Sequence, residues 1–433
     1  MSHVELEIIM LVICMSAAGA SVGMFSGLVP GIHVNTLASL MLISYPLLYP
    51  VLSVFADPSY VPVLLASCVV SAAVVHSFVS YVPSVFTGVP DQDNVLSVLP
   101  GHRLLFEGRG MAAVRASAAG SLIGGMSAAA AAVPLQFLMM NGLDPYLRSV
   151  TSVVLMIAVA ALIISEDIRK WGWAIGLMAL SGIMGCICMF MPVPFVGLVP
   201  GGDLLLPLLT GLFGVPILIS ASADTKMPEQ TDDGECPVSP RSGLKGVLTG
   251  SIVGWFPGIT ATAGAAFTRI FVKEDKPEGF IALVSSIGTA SAVFALITLS
   301  VNGKGRSGTM LVVRDILGDS LNGIGNGVFL LMLLSVAVAC TVGYMAVIRS
   351  GKTISSLIEK VNVRKMNMTI LAAIVILVLL LTGLWGLAVL AVSTAVGLIP
   401  LNAGIGRVHL TGCLLIPVVL MQFGLDRVFF YLF

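Results

Sequence analysis

Charge is what this sequence has least of. Of its 433 residues, 10% are Asp, Glu, Lys or Arg, against about 25% in soluble domains. The 22 basic and 22 acidic residues cancel to a net charge of zero. No electrostatic footprint for nucleic acid follows. Histidines number five and cysteines seven. Six of the cysteines (14, 68, 186, 188, 340 and 413) lie in apolar runs, where they read as small packed residues; Cys236 lies in a polar stretch. Cys186-Ile187-Cys188 lacks metal-ligand spacing and has no histidine nearby. There is no Walker motif, no H-E-x-x-H, no nucleophile elbow and no redox site. These absences exclude ATP hydrolysis and covalent catalysis, so neither an enzyme nor a cofactor is expected.

What fills the space is apolar. Hydrophobic residues make up 57% of the chain, and mean hydropathy is +1.03. Many runs reach the ~20 residues that cross a bilayer as a helix, far beyond the ~10-residue alternating strands of a barrel. Backbone in lipid must satisfy its own hydrogen bonds, so the expected fold is an all-α polytopic protein of the cell membrane. The runs count to about 10–13 membrane elements, some of them broken or re-entrant. The N-terminus has no basic n-region and no cleavage site, so residues 6–28 read as a first span. The run at 369–398 is too long for one span and is expected to break near Gly383 or Gly386.

Two stretches repeat. Residues 19–36 read GASVGMFSGLVPGIHVNT and residues 246–263 read GVLTGSIVGWFPGITATA. Both follow G-x3-G-x3-G-x2-P-G-I. A second echo closes each half: GLVPGGDLLLPLLTGLFGVPILI (197–219) and GLIPLNAGIGRVHLTGCLLIPVVL (397–420). Two echoes in the same order indicate internal duplication. The domains expected are a first transmembrane repeat (1–222), a polar linker (223–243) and a second repeat (244–433). Residues 349–365 hold five Lys/Arg and read as a cytoplasmic loop, whereas the N-terminal tail has none. An odd number of crossings per half would make the repeats inverted, which is the arrangement expected.

Glycines at every fourth residue line one helix face and let another backbone approach. Pro-Gly then stops the helix. The structural residues of the breaks are Gly27 and Pro30 in one half, Gly254 and Pro257 in the other. Irregular backbone at membrane depth is tolerated only when buried or lining a cavity. Matched breaks in two repeats point to a transporter binding site. Freed amides at a half-helix start suit an anion, and freed carbonyls with hydroxyls suit Na+. The candidate site joins Gly31, His33, Asn35 and Thr36 to Gly258, Thr260 and Thr262. Ser285, Ser286 and Asn302 are second choices.

Other polar residues in apolar surroundings admit two readings each. His76 is a proton relay or a packing histidine. The 90–94 stretch, Pro-Asp-Gln-Asp-Asn, is a cation site or a solvated loop. Residues 302–309, NGKGRSGT, suit an anionic headgroup or form a plain turn. Asp203, Arg407 and His409 lie in the echoed ends. His102 and Arg103 with Asp91 and Asp93 are the nearest thing to a catalytic set of a lipid-modifying membrane enzyme.

At this point the chain resembles the large membrane subunit (TctA) of tripartite tricarboxylate transporters, specifically its divergent archaeal-type relatives. The carriers are G-x2-P-G at Gly27–Gly31 and Gly254–Gly258, PGHRLLFEGRGMAAVRASAAGSLIGG at 100–125, and PLLTGLFG at 207–214. The family's P-E-S-A-N-N stretch is replaced by Val284–Thr289, without the acid and both asparagines. The resemblance implies a secondary transporter for an organic anion such as a carboxylate, coupled to Na+ or H+. It also implies two partners, a small membrane subunit and an external binding protein. A related-looking scaffold moves polyprenyl-phosphate lipid carriers between leaflets, and Lys304 with Arg306 would suit that phosphate.

Overall fold

The computed structural model describes residues 3–29, 34–87, 95–190, 204–220, 228–232, 234–235, 238–256, 261–272, 274, 276–358 and 363–425. All regular structure among them is helical. The first half holds α1 (His3–Leu28), α2 (Val34–Ile43), α3 (Tyr45–Leu52), α4 (Val61–Val79), α5 (Tyr81–Thr87) and α6 (Val95–Phe106). It continues with α7 (Gly110–Leu138), α8 (Asp144–Ile164), α9 (Trp171–Phe190), α10 (Leu205–Leu209) and α11 (Val215–Ser220). The second half holds α12 (Pro240–Trp255), α13 (Ala261–Phe271), α14 (Pro277–Asn302) and α15 (Gly308–Leu317). It ends with α16 (Gly327–Ile358), α17 (Val363–Ala403) and α18 (Gly412–Gln422).

Among the described residues, seven stretches are long and apolar enough to cross a membrane. Two of them bend at a glycine. Between α7 and α8 the chain kinks at Gly142, with φ 115°. Within α17 it turns at Gly383, with φ 65° and ψ −156°. Both are left-handed or mirror conformations that side chains other than glycine resist. The break foreseen in the 369–398 run thus falls at Gly383. The stretch read as a loop over 349–365 is mostly helix: α16 runs to Ile358 and α17 starts at Val363. At 1.5 Å per residue the 32 residues of α16 rise about 48 Å, well past the hydrocarbon, so its basic end stands in water.

Glycine sets the helix contacts. A Cβ on Gly23 or Gly19 would collide with the backbone of Ala72 or Cys68, so α1 runs parallel to α4 at backbone distance. A Cβ on Gly246 would lie 2.6 Å from Leu283 O, and one on Gly250 2.7 Å from Ala290 Cβ, so α12 lies along α14 in the same manner. Across the halves, a Cβ on Gly124 of α7 would lie 2.6 Å from Ser286 O of α14. These are close approaches that only small residues permit.

The packing is reciprocal. α7 of the first half packs on α14 and α12 of the second, and α16 packs on α4 and α1. At the other end α18 packs on α9, while α11 packs on α17. α7 and α16 run antiparallel, with Gly125 against Cys340 and Gly351 against Val114.

α12 and α13 form a hairpin. Lys245 bonds Glu274 at 2.8 Å, Thr249 and Thr268 hydroxyls meet at 2.6 Å, and Gly264 abuts Val253. The chain therefore returns to the side it came from. The 16 residues of α12 rise about 24 Å, less than the ~30 Å of hydrocarbon, so its far end stays inside the membrane.

Part of the linker docks on one end of this bundle. Thr231 N donates to Gly108 O at 2.8 Å, and Gln230 Oε1 accepts from Gly110 N at 3.0 Å. Asp232 takes a two-pronged bond from Arg115, both arms 2.9 Å. Lys352 of α16 stands 3.6 Å from the same carboxylate. The Arg115 guanidinium holds the Asp232 carboxyl below the usual carboxylate range.

Candidate functional site

Each Pro-Gly break separates two helices. α1 ends at Leu28 and α2 begins at Val34; α12 ends at Trp255 and α13 begins at Ala261. Pro30, Gly31, His33, Pro257, Gly258 and Thr260 lie outside the described residues, as do Asp91, Asp93 and Asp203. The flanking residues place both breaks. Gly27 sits against α4, where a Cβ would come 3.0 Å from Ser80 N. Gly254 sits against α14, where a Cβ would press on Phe294. Val34 then packs with Ala72 and Ala73 of α4 and with Val22, so α2 begins back alongside α1.

The first break meets the second half at Asn35. Its Oδ1 accepts the backbone N–H of Thr309 at 3.0 Å. A Cβ on Gly308 would lie 2.8 Å from Asn35 Cγ. Thr309 N is one of the orphan donors of the α15 N-terminus. Ser307 Oγ takes another, from Met310 N at 3.3 Å. Gly305 lies beside Leu311, where a Cβ would come 2.7 Å from its N. The 303–307 segment thus doubles back along the helix it starts. The NGKGRSGT stretch is therefore a built connection between α14 and α15 that reaches Asn35.

Polar side chains collect where α1, α4, α12 and α14 approach. His76 Nδ1 and Ser26 Oγ meet at 2.9 Å, one turn before the first break. Thr298 Oγ1 donates to Gly254 O at 3.2 Å, satisfying a carbonyl near the end of α12. Ser77 Oγ and Thr289 Oγ1 meet at 3.2 Å and tie α4 to α14. Thr262 is buried at the start of α13. Thr36 lies in the first turn of α2.

The second-choice residues have partners. Ser285 Oγ donates to Ser117 Oγ at 2.9 Å. Ser286 Oγ donates to Gly243 O at 2.7 Å. Both serve the seams of α14 with α7 and α12. Asn302 Nδ2 donates to Asp144 Oδ1 at 3.3 Å, and Arg148 pairs with the other oxygen of that carboxylate.

A node that sequence reading missed is Gln136. It is fully buried. Its amide nitrogen donates to Ser300 Oγ at 3.0 Å and Gly323 O at 3.1 Å, and its Oε1 accepts from Gly325 N at 2.9 Å. A lone Gln in the apolar run of α7 was the available signal. A further signal was an echo at the membrane turns: Trp171-Gly172-Trp173-Ala174 before α9's apolar run and Trp385-Gly386-Leu387-Ala388 after Gly383. Among the described residues no group of three His, Cys, Asp or Glu could hold a metal ion.

An all-helical, multi-pass chain with helices interrupted inside the membrane and polar groups gathered at the interruptions is a membrane transport protein by class. The chain belongs to the Tripartite tricarboxylate transporter TctA family, whose profile matches residues 13–412. That family is a transporter component and not an enzyme, and it typically works with a small membrane subunit and a periplasmic binding subunit. The chain is also similar to "Uncharacterized protein MJ1079" of Methanocaldococcus jannaschii, 26% identical over 354 residues, 81% of this chain and 82% of that one. No solved structure matches it.

Proposed function

We propose that this chain is the permease of a secondary active transporter that carries an organic anion, such as a carboxylate, across the cell membrane with Na+ or H+. The observation that carries the reading is the junction of Asn35 with the α15 N-terminus, 3.0 Å from Asn35 Oδ1 to Thr309 N. It joins the break of one half to the α14–α15 connection of the other. The substrate path in this reading passes between the two breaks, lined by Asn35, Thr262, Ser77 and Thr289. Amides at interrupted helices suit the carboxylate; carbonyls and hydroxyls suit the cation.

The two halves (1–222 and 244–433, joined by 223–243) are inverted repeats in this reading. Support comes from the reciprocal packing and from the antiparallel course of α7 and α16. Rocking of one part against the other alternates access. The small membrane subunit and the binding protein of the family are the partners proposed for it.

The test is thermal stabilisation of the purified protein by di- and tricarboxylates, with and without Na+, beside a short-chain polyprenyl phosphate. Ligand at a hundredfold over Kd stabilises the bound state by about 2.7 kcal/mol. A carboxylate shift, enhanced by Na+ or by acid, is the expected result. A shift with the lipid phosphate alone would replace this reading with a lipid-carrier translocase, for which Lys304 beside the α14–α15 connection is the supporting residue.

A further inference from the structure

The proposed path leaves one charged cluster unused. It lies where the end of the second half, residues 404–411, packs against the α8–α9 turn. Glu166 Oε1 accepts Gly406 N–H at 2.6 Å and stands 3.2 Å from His409 Nε2. His409 is fully buried, and no described residue bonds its Nδ1. The Glu166 side chain keeps 17% of its surface open. Arg407 Nη2 donates to Phe213 O at 2.7 Å, in the irregular turn between α10 and α11. Lys170 Nζ donates to Gly404 O at 2.5 Å.

Four features distinguish this cluster from a packing pair. It holds a titratable ring wholly out of water, joined to a carboxylate that reaches water. It is confined to one half: aligned on Thr210-Gly211 and Thr411-Gly412, position 409 falls against Leu208. It sits against a broken element, because residues 407–411 pack on α13, and Val408 packs on an apolar cluster that joins Trp255, Phe256, Ala261 and Ala265 of the α12–α13 hairpin to Leu155, Leu162, Met178 and Leu415. Its backbone is also held: Ser181 Oγ donates to His409 O at 3.2 Å. An ionisable side chain buried in a membrane bundle beside a charged partner is a functional-site candidate.

We infer that Glu166 and His409 together bind the coupling proton and report its presence to the second-half hairpin through Val408. This deepens the transport reading above and rests on it for the word coupling. The proton enters at Glu166 and passes to His409 Nε2, and no other bond is made or broken. With the imidazolium formed, its attraction for Glu166 holds residues 404–411 against the α8–α9 turn. With the neutral ring that attraction is lost and Val408 is freed to shift with the hairpin.

Other titratable groups lie on the elements that pack about the pair. Asp167, Arg169 and Lys170 lie on the α8–α9 turn, Cys186 and Cys188 on α9, and Cys413 on α18. Arg364 and Lys365 begin α17, and Arg148 lies near the start of α8. α13 carries Arg269, whose side chain lies outside the described residues.

The experiment labels the full chain with 5-fluorotryptophan and follows the four tryptophan resonances by 19F NMR in detergent across pH. Trp255 is assigned by Trp255→Phe. The expected result is a one-proton transition of the Trp255 resonance as pH is varied. His409→Gln, which keeps an amide donor for Glu166, should flatten it. Glu166→Gln removes the attraction for the imidazolium and should move the midpoint down by about one unit or more. Should His409→Gln fail to fold, as read from its other three resonances, Glu166→Gln decides alone. A flat wild-type profile, an unchanged profile in His409→Gln, or an unmoved midpoint in Glu166→Gln would each overturn the inference. A di- and tricarboxylate panel at fixed pH, in the same samples, reports on the anion separately. A carboxylate response without a pH response removes the proton pair and leaves the transport reading standing. A pH response without a carboxylate response supports the pair and removes the carboxylate.

Discussion

Adding one methyl group to Gly124 probes the contact on which the two halves depend. The new Cβ would lie 2.6 Å from Ser286 O and 2.9 Å from its Cα. Those atoms are backbone in the middle of α14 and cannot swing aside. Ordinary contact begins at about 3.5 Å, so α7 and α14 must part by up to about 1 Å. A gap of that size forfeits a quarter to a half of the dispersion energy of the facing atoms, and overpacking of this kind costs about 1–3 kcal/mol. The methyl also removes a flexible residue from a helix, which returns about 0.5–1 kcal/mol. The steric term is the larger. Gly124→Ala should therefore lower the population ratio of native to denatured protein by a few-fold to about a hundredfold. Gly176 in α9 is the control, since nothing lies within 4 Å of its added Cβ. Gly176→Ala should be neutral or stabilising. Both are read by denaturation in detergent. Equal loss in the two variants, or a gain at Gly124, would refute backbone-distance packing of α7 on α14.

Asn35→Ala should remove one of the two side-chain caps of α15, lower stability by about 0.5–2 kcal/mol, and weaken any carboxylate-induced thermal shift; an intact shift would take Asn35 off the path. Gln136→Leu should lower stability by several kcal/mol, because Ser300, Gly323 and Gly325 each lose a partner and an unsatisfied buried group costs about 1–3 kcal/mol; a neutral result in denaturation would contradict that node. The Arg115–Asp232 pair should hold the linker at neutral pH. Because the carboxyl's affinity for protons is lowered in the folded state, that contribution is complete above its unfolded value and disappears as pH falls through the folded one. Protease cleavage within 228–238 should thus accelerate below about pH 4, and Asp232→Asn should cleave at the acid rate already at pH 7.

Much of the helical scaffold was legible because its signals are local. Gly19, Gly23 and Gly27 declared a face before the α4 backbone was seen lying on it. Gly383 and Gly386 marked a break in a run too long for one span, and the chain turns at the first of them. The two Pro-Gly pairs marked where α1 and α12 would end. What was not legible depends on distant pairs. Nothing near Asn35 says that it caps a helix 274 residues on. Nothing near Glu166 says that it meets His409, 243 residues on. Ser285 and Ser286 looked available for substrate because a sequence does not show that Ser117 and Gly243 take their hydroxyls. The basic stretch at 349–365 read as a loop because charge ends a span, although Arg349 and Lys352 continue α16 as helix and Arg364 and Lys365 already begin α17.

The most direct measurement is uptake of labelled di- and tricarboxylates into proteoliposomes under a Na+ or pH gradient. It compares the wild type with Gly31→Val and Gly258→Val, both checked for insertion. The account predicts uptake that needs the gradient and is lost in both variants, because a β-branched residue lacks the conformational freedom that glycine supplies after proline. Gradient-driven uptake that survives in both variants, or movement of a polyprenyl phosphate with no carboxylate uptake at all, would contradict it.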